Sequence, residues 1–254
     1  MTTLQDYQID TAALLHDSNN LFTGLFQLNR WINEARDQVA MDSGCLRILV
    51  PGQSPFGAQA QAGVAVPGGA VPGMPPSSGF QAIPGQEQYP FQFANEYARQ
   101  FYRGIRGIGD VFNVAVSWGG SIRPVQNWMP WDELQAFARS YNIGVFSYPF
   151  VWSNLGSGEN GKVWLWPAPS VVTEMEWDCF GLPTLLSSND DYEPIPTTYA
   201  RAVKFYAASL AFEMSNRPDR ADKMMQRYMQ TGITAAGASE RARVPDYYKD
   251  WTTW

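Results

Sequence analysis

The chain has 254 residues, a net charge of −6, 45% hydrophobic, 17% charged and 14% aromatic side chains. The negative balance argues against a protein that holds DNA or RNA by its phosphates, which needs a positive surface. Low charge with many aromatics suits a protein that buries much of its surface, against itself or its neighbours. No apolar run approaches the roughly 20 residues a membrane helix needs.

In chain order, residues 3–16 predict a short amphipathic helix with Tyr7, Ala12, Leu14 and Leu15 as contacts, broken by DSNN, whose Asp and Asn favour turns. The N-terminal run is acidic and amphipathic rather than secretory, so synthesis in a cytoplasm is expected. A second helix is predicted over 23–42, because Leu25, Leu28, Ile32, Ala35 and Val39 recur at helical spacing and Ser43-Gly44 supplies a stop. Cys45 and Cys179 are the only cysteines, and read as buried free thiols rather than a disulfide framework.

LRILV (46–50) reads as a strand. From Ile48 to Gln86 there is then no charged residue, and Pro and Gly are dense enough to block helix and central strand. The expectation is a long loop over 51–88. It lacks the charge of a disordered linker, so a neighbouring subunit or partner is expected to order it.

DVFNVAVSW (110–118) alternates, placing Phe112, Val114, Val116 and Trp118 on one face and Asn113 and Ser117 on the other. Gly119-Gly120 turns it and SIRPVQ returns as its partner. A helix follows over 131–141 with Leu134, Phe137 and Tyr141. GKVWLWPAPSVVTEMEWDC (161–179) then predicts a β-hairpin around Pro167 and Pro169. Val163, Leu165, Met175 and Trp177 would pack it, with Val171 and Thr173 on the same face. Trp164 and Trp166 point the other way, to meet a helix or another subunit.

Residues 197–215 predict a helix with Tyr199, Val203, Tyr206, Leu210 and Met214 along one stripe. Asn216-Arg217-Pro218-Asp219 breaks it and starts another, which runs to about Thr231 with Met224, Met225 and Tyr228. Helices, then strands, then helices make an α+β fold. The expected organisation is a helical bundle from 1–45 and 195–237, an inserted antiparallel β-rich region over 46–194, and an extended C-terminal tail over 238–254.

Little in the sequence carries chemistry. Glu174, Glu176 and Asp178 share a strand face and read as a solvated face rather than a pair of carboxylates across a cleft. Asp190, Asp191 and Glu193 lack the ligand spacing of a calcium loop and read as water-solvated. His16 is the single histidine, which leaves no Ser-His-Asp or Cys-His set and no histidine metal site, and no phosphate-binding glycine motif is present. No cofactor is expected. Arg99, Arg103 and Arg106, set among Tyr97, Phe101 and Tyr102, read as pairing with acids of this or a neighbouring chain rather than with nucleic acid. Ten tryptophans suit either carbohydrate stacking or protein interfaces, and composition alone leaves both open.

Four segments in order, LNRWINEARDQVAMDSGC, IPGQEQYPF, KVWLWPAPS and PTTYARAVKFYAASLAFE, resemble the head–tail adaptor (connector, neck) proteins of tailed phages, over about residues 20–231. The resemblance implies a structural virion protein at the head–tail neck, without catalysis. It would assemble as a ring, commonly of twelve copies, on the portal protein, extend the channel through which genomic DNA passes, and offer a platform to tail or nozzle proteins. In that family C-terminal segments often reach the portal, a role that falls here on Tyr247, Tyr248, Trp251 and Trp254. The uncharged insert at 51–86 departs from smaller members. A Trp-rich carbohydrate-binding module is the alternative.

Overall fold

A computed structural model describes residues 2–16, 24–50, 81–118, 121–125, 127–140 and 149–241. The fold is α+β. The chain divides into two compact units, Met1–Cys45 with Leu185–Trp254, and Leu46–Thr184.

The first unit is helical. Helix α1, Leu4–Leu15, opens with a capping box in which the Thr3 amide donates to the Asp6 carboxylate at 2.8 Å and the Asp6 amide to the Thr3 hydroxyl at 3.2 Å. It buries Leu4, Tyr7, Thr11 and Ala12, and ends at His16, whose φ of 57° makes the lone histidine a helix C-cap. Helix α2, Leu25–Ser43, follows Gly24 and stops at Gly44, also left-handed, whose amide donates to the Ala40 carbonyl. Leu28, Ile32, Ala35 and Val39 are buried as the spacing predicts, whereas Leu25 is exposed.

The other two helices of this unit are α5, Thr197–Met214, and α6, Pro218–Arg241. In α5 the buried face is Ala200, Val203, Ala207, Ala208, Ala211 and Phe212, not the predicted stripe. Tyr199, Tyr206 and Leu210 are only partly covered and Met214 is exposed. The small side chains let α1, α2 and α6 pack close against α5, and the tyrosines fill the margins of that contact, with Tyr206 edge-on to Tyr228 at 5.0 Å. Helix α6 continues well past Thr231, because TAAGASER is rich in good helix formers and the first proline beyond it is Pro245.

The second unit holds two sheets. Its strands are β1 (Arg47–Val50), β2 (Gln81–Ala82), β3 (Gln88–Pro90), β4 (Ile105–Trp118), β5 (Ser121–Pro124), β6 (Asn127–Trp128), β7 (Val151–Leu155), β8 (Lys162–Trp166) and β9 (Thr173–Pro183). Helix α3, Gln92–Phe101, precedes β4, and α4, Trp131–Ser140, follows β6. One sheet runs β1-β9-β4-β5, with β2 also on β9; the other runs β3-β8-β7-β6.

Two predicted features of this unit are corrected. The 161–179 stretch is no hairpin, since β8 pairs with β3 and β7 while β9 pairs with β1, β2 and β4 in the other sheet. Pro167 and Pro169 end β8 because they cannot donate to a ladder, and the chain changes sheet there. The alternation expected of β9 does appear, with Thr173, Met175, Trp177 and Cys179 buried, but Val171 lies outside it and is exposed. In β4, three register shifts against β9 break the period of two. Each bulge adds a residue, so burial recurs at Ile105, Ile108, Val111 and Val114, and Phe112 faces outward at 43% exposure.

Candidate functional site

Tyr247, Tyr248, Trp251 and Trp254 lie outside the described residues, as do 51–80 and Tyr141. The described residues nevertheless place the ends of the uncharged insert. Val50 pairs with Trp177 and Gln81 with Glu174, so both ends are tied to β9. Those two partners are about 10 Å apart along the strand. Beyond β2, IPGQEQY folds into a turn closed by Tyr89, whose buried hydroxyl accepts from the Ile83 amide at 3.0 Å and donates to the Gln86 carbonyl at 2.8 Å. Gly85, at a φ of 75°, supplies the left-handed position.

Behind these ends sits an aromatic core that explains the next residues. Phe91 is fully buried and edge-on to Trp177 at 5.9 Å. Its amide donates to the Gly161 carbonyl at 2.9 Å, and its ring occupies the place a side chain at Gly161 would take, 2.4 Å from where a Cβ would stand. Gly107 makes the same allowance for Asn95, whose side-chain oxygen accepts from the Ile108 amide at 2.6 Å. Both glycines are defined by close approach.

The tryptophans of 161–179 serve packing. Trp177 is completely buried. Trp166 lies between Phe137 at 5.0 Å and Phe150 at 5.3 Å, over Leu134 and Val151. Trp164 is 4.6 Å from Trp131 on α4. A helix therefore meets Trp164 and Trp166, one of the two partners expected for them, and this stretch offers no open stacking platform for a sugar.

The helical unit has a different kind of centre. Arg36 is completely buried and donates to both oxygens of Glu193, at 2.8 and 3.0 Å, and to the Asn33 side-chain oxygen Oδ1 at 2.9 Å. Glu193 also accepts from the Ile195 amide, just before α5. Asn33 exchanges two bonds with the backbone of Leu186, at 2.8 and 3.1 Å. Glu193 was expected in water with Asp190 and Asp191; burial beside an arginine overturns that. Asp190 and Asp191 are at the surface, and the Asp191 carboxylate, held at about 2, accepts from the Ser187 and Ser188 amides and hydroxyls. The sequence did carry a signal for Arg36: it is a charge within the apolar face that Ile32, Ala35 and Val39 define.

The predicted acids and bases of the β-rich unit sit on its surface. Asp178 forms a two-pronged pair with Arg47 of β1. The Glu176 carboxyl is raised by partial burial and then by Asp178. Arg99 donates to the Arg106 carbonyl at 2.5 Å; the helical run ends at Phe101, so Arg103 falls in a turn and Arg106 on β4. Burial raises the thiols of Cys45 and Cys179. Among the described residues no group of three or more His, Cys, Asp or Glu is placed to hold a metal ion, and no helix is long and apolar enough to cross a membrane.

Compared with known protein families, residues 2–249 match SU10 adaptor protein. The chain belongs to this family of phage head–tail adaptors. No curated protein matches it significantly.

Proposed function

We propose that the protein docks on the portal ring as a ring of copies, probed first as twelve, extends the DNA channel and carries the tail or nozzle proteins. The family match over nearly the whole chain is the observation that carries this reading. Net charge supports it: at −6 the chain does not favour holding DNA by its phosphates as it slides past. The site of portal contact is assigned to the tail, where Tyr247, Tyr248, Trp251 and Trp254 offer large aromatic anchors for partner pockets. The 51–80 insert is assigned to contacts with a neighbouring copy or a tail component, as a segment rooted at two nearby points of β9. We place the protein in the neck of the virion after synthesis in the host cytoplasm, with no enzymatic role.

Truncation after Arg241 tests the tail. Full-length protein should co-sediment with portal rings and the truncated chain should not; equal binding by both would remove the tail from the contact. Deleting 52–79 spares β1 and β2, so the remaining chain should fold and bind portal while failing to complete the neck. Normal tail attachment by that variant would remove the insert from this role.

A further inference from the structure

The β-rich unit carries an aromatic strip on its surface. Phe93, Tyr97 and Phe101 lie at i, i+4 and i+8 along α3, and Phe93 is 42% exposed. Tyr97 stacks at 4.5 Å from Phe101 and 6.4 Å from Tyr102. The Tyr102 hydroxyl accepts from the Leu49 amide at 3.1 Å and donates to the Leu49 carbonyl at 2.9 Å, which joins this strip to β1. Leu49 itself is 45% exposed. The strip therefore ends one residue short of Val50, where the uncharged insert leaves the sheet.

The sequence of that insert suits the strip in chemistry. Residues 51–80 hold six prolines and no charged side chain. Pro72-Gly73-Met74-Pro75 has the PxxP spacing of segments that dock on aromatic-lined surfaces as polyproline II helices. Proline sets much of that shape before binding, so little freedom is lost on docking, and the carbonyls of such a helix have no partner within it. On the strip, rings meet the prolines and Tyr97 brings a phenolic donor for a carbonyl. Glu96 is exposed at the edge of the strip, and an uncharged segment is neither repelled by it nor in need of it.

The reach is sufficient. Leu49 pairs with Asp178 and Gln81 with Glu174, partners about 13 Å apart along β9. From Phe101 to Phe93 the strip runs about 12 Å further along α3. Pro72, nine residues before Gln81, reaches about 30 Å when extended, which covers both spans.

We propose that the Pro72–Pro75 segment seats on the aromatic strip of its own chain. This holds the later part of the insert against α3 and leaves 52–71 for contacts with a neighbouring copy or a tail component. Its own chain is the source because a segment tethered at both ends meets its seat at an effective concentration on the order of millimolar.

The test uses the full chain, free in solution. A double variant, M74C with E96C, keeps every aromatic side chain of the strip. Oxidised mildly and run without reductant, it should give an internally linked monomer of altered mobility, which neither single variant gives. Linked dimers in place of that monomer would overturn the assignment to the same chain and seat the segment on a second copy. No link of either kind would overturn the docking. As a second measurement, Phe93→Ser, at an exposed position, should keep the melting temperature while thermolysin cuts within 51–80 about fivefold faster or more, the change expected when an anchoring aromatic is truncated. Equal cutting of both chains would remove Phe93 from the seat and overturn the strip as its site. Both measurements are made without portal, so their failure would leave the portal reading intact.

Discussion

The two units reach stability by opposite means. The helical unit packs alanine faces closely and sets one buried ion pair at its centre, Arg36 with Glu193, steadied by Asn33. The β-rich unit buries no ion pair among its described residues. It sets Phe91 edge-on to Trp177, with Gly161 leaving the Phe91 ring its room, and packs Trp166 between Phe137 and Phe150. The difference teaches where each should be vulnerable. A buried charge pair tolerates joint removal but not loss of one partner, because a lone buried charge is costly while an apolar pair is not. An aromatic jigsaw tolerates neither truncation nor addition.

The largest effect should come from Trp177→Ala, about 3–5 kcal/mol of destabilisation by cavity formation, read from chemical denaturation. A loss below about 1 kcal/mol would mean that the ring is exposed in solution. Next, Glu193→Leu should cost about 3 kcal/mol by leaving Arg36 buried and unpaired, and the double variant with Arg36→Met should recover most of it. A double variant as unstable as the sum of its singles would show that the two sides do not act as a pair. Gly161→Ala should cost about 2 kcal/mol, since a methyl group meets the Phe91 ring; Phe91→Leu in the same chain should relieve it.

The smallest effect concerns pH. Backbone and side-chain bonds from Ser187 and Ser188 lower the Asp191 carboxyl from 3.8 to about 2. A lowered folded value means that its contribution is complete above the ordinary carboxylate range and is lost as pH falls through about 2. Melting curves between pH 5 and 2 should therefore separate the wild type from Asp191→Asn least at the acid end. A gap that widens on acidification would contradict the assignment.

Local signals were legible and long-range ones were not. The helix stop at Ser43-Gly44, the pairing of SIRP with β4, the burial of Trp177 and the helix around Leu134 all follow from spacing and turn chemistry. The hairpin is absent because neighbours in sequence need not pair in space, and the two prolines mark a change of sheet. Phe112 was misplaced because bulges leave no mark in a single sequence. The buried face of α5 was misread because alanine is a weak hydrophobic signal, although small residues are what let helices approach. Of the candidate partner-binding residues, the residue types and their clustering in the tail could be read, and their partner could not. Complementarity to another chain is written half in that chain.

The most direct measurement is mass by multi-angle light scattering on the purified protein, alone and mixed with portal rings. The account predicts that the 28.4 kDa chain joins the portal in multiple copies and that truncation after Arg241 abolishes the shift. A chain that leaves the portal peak unchanged would contradict it.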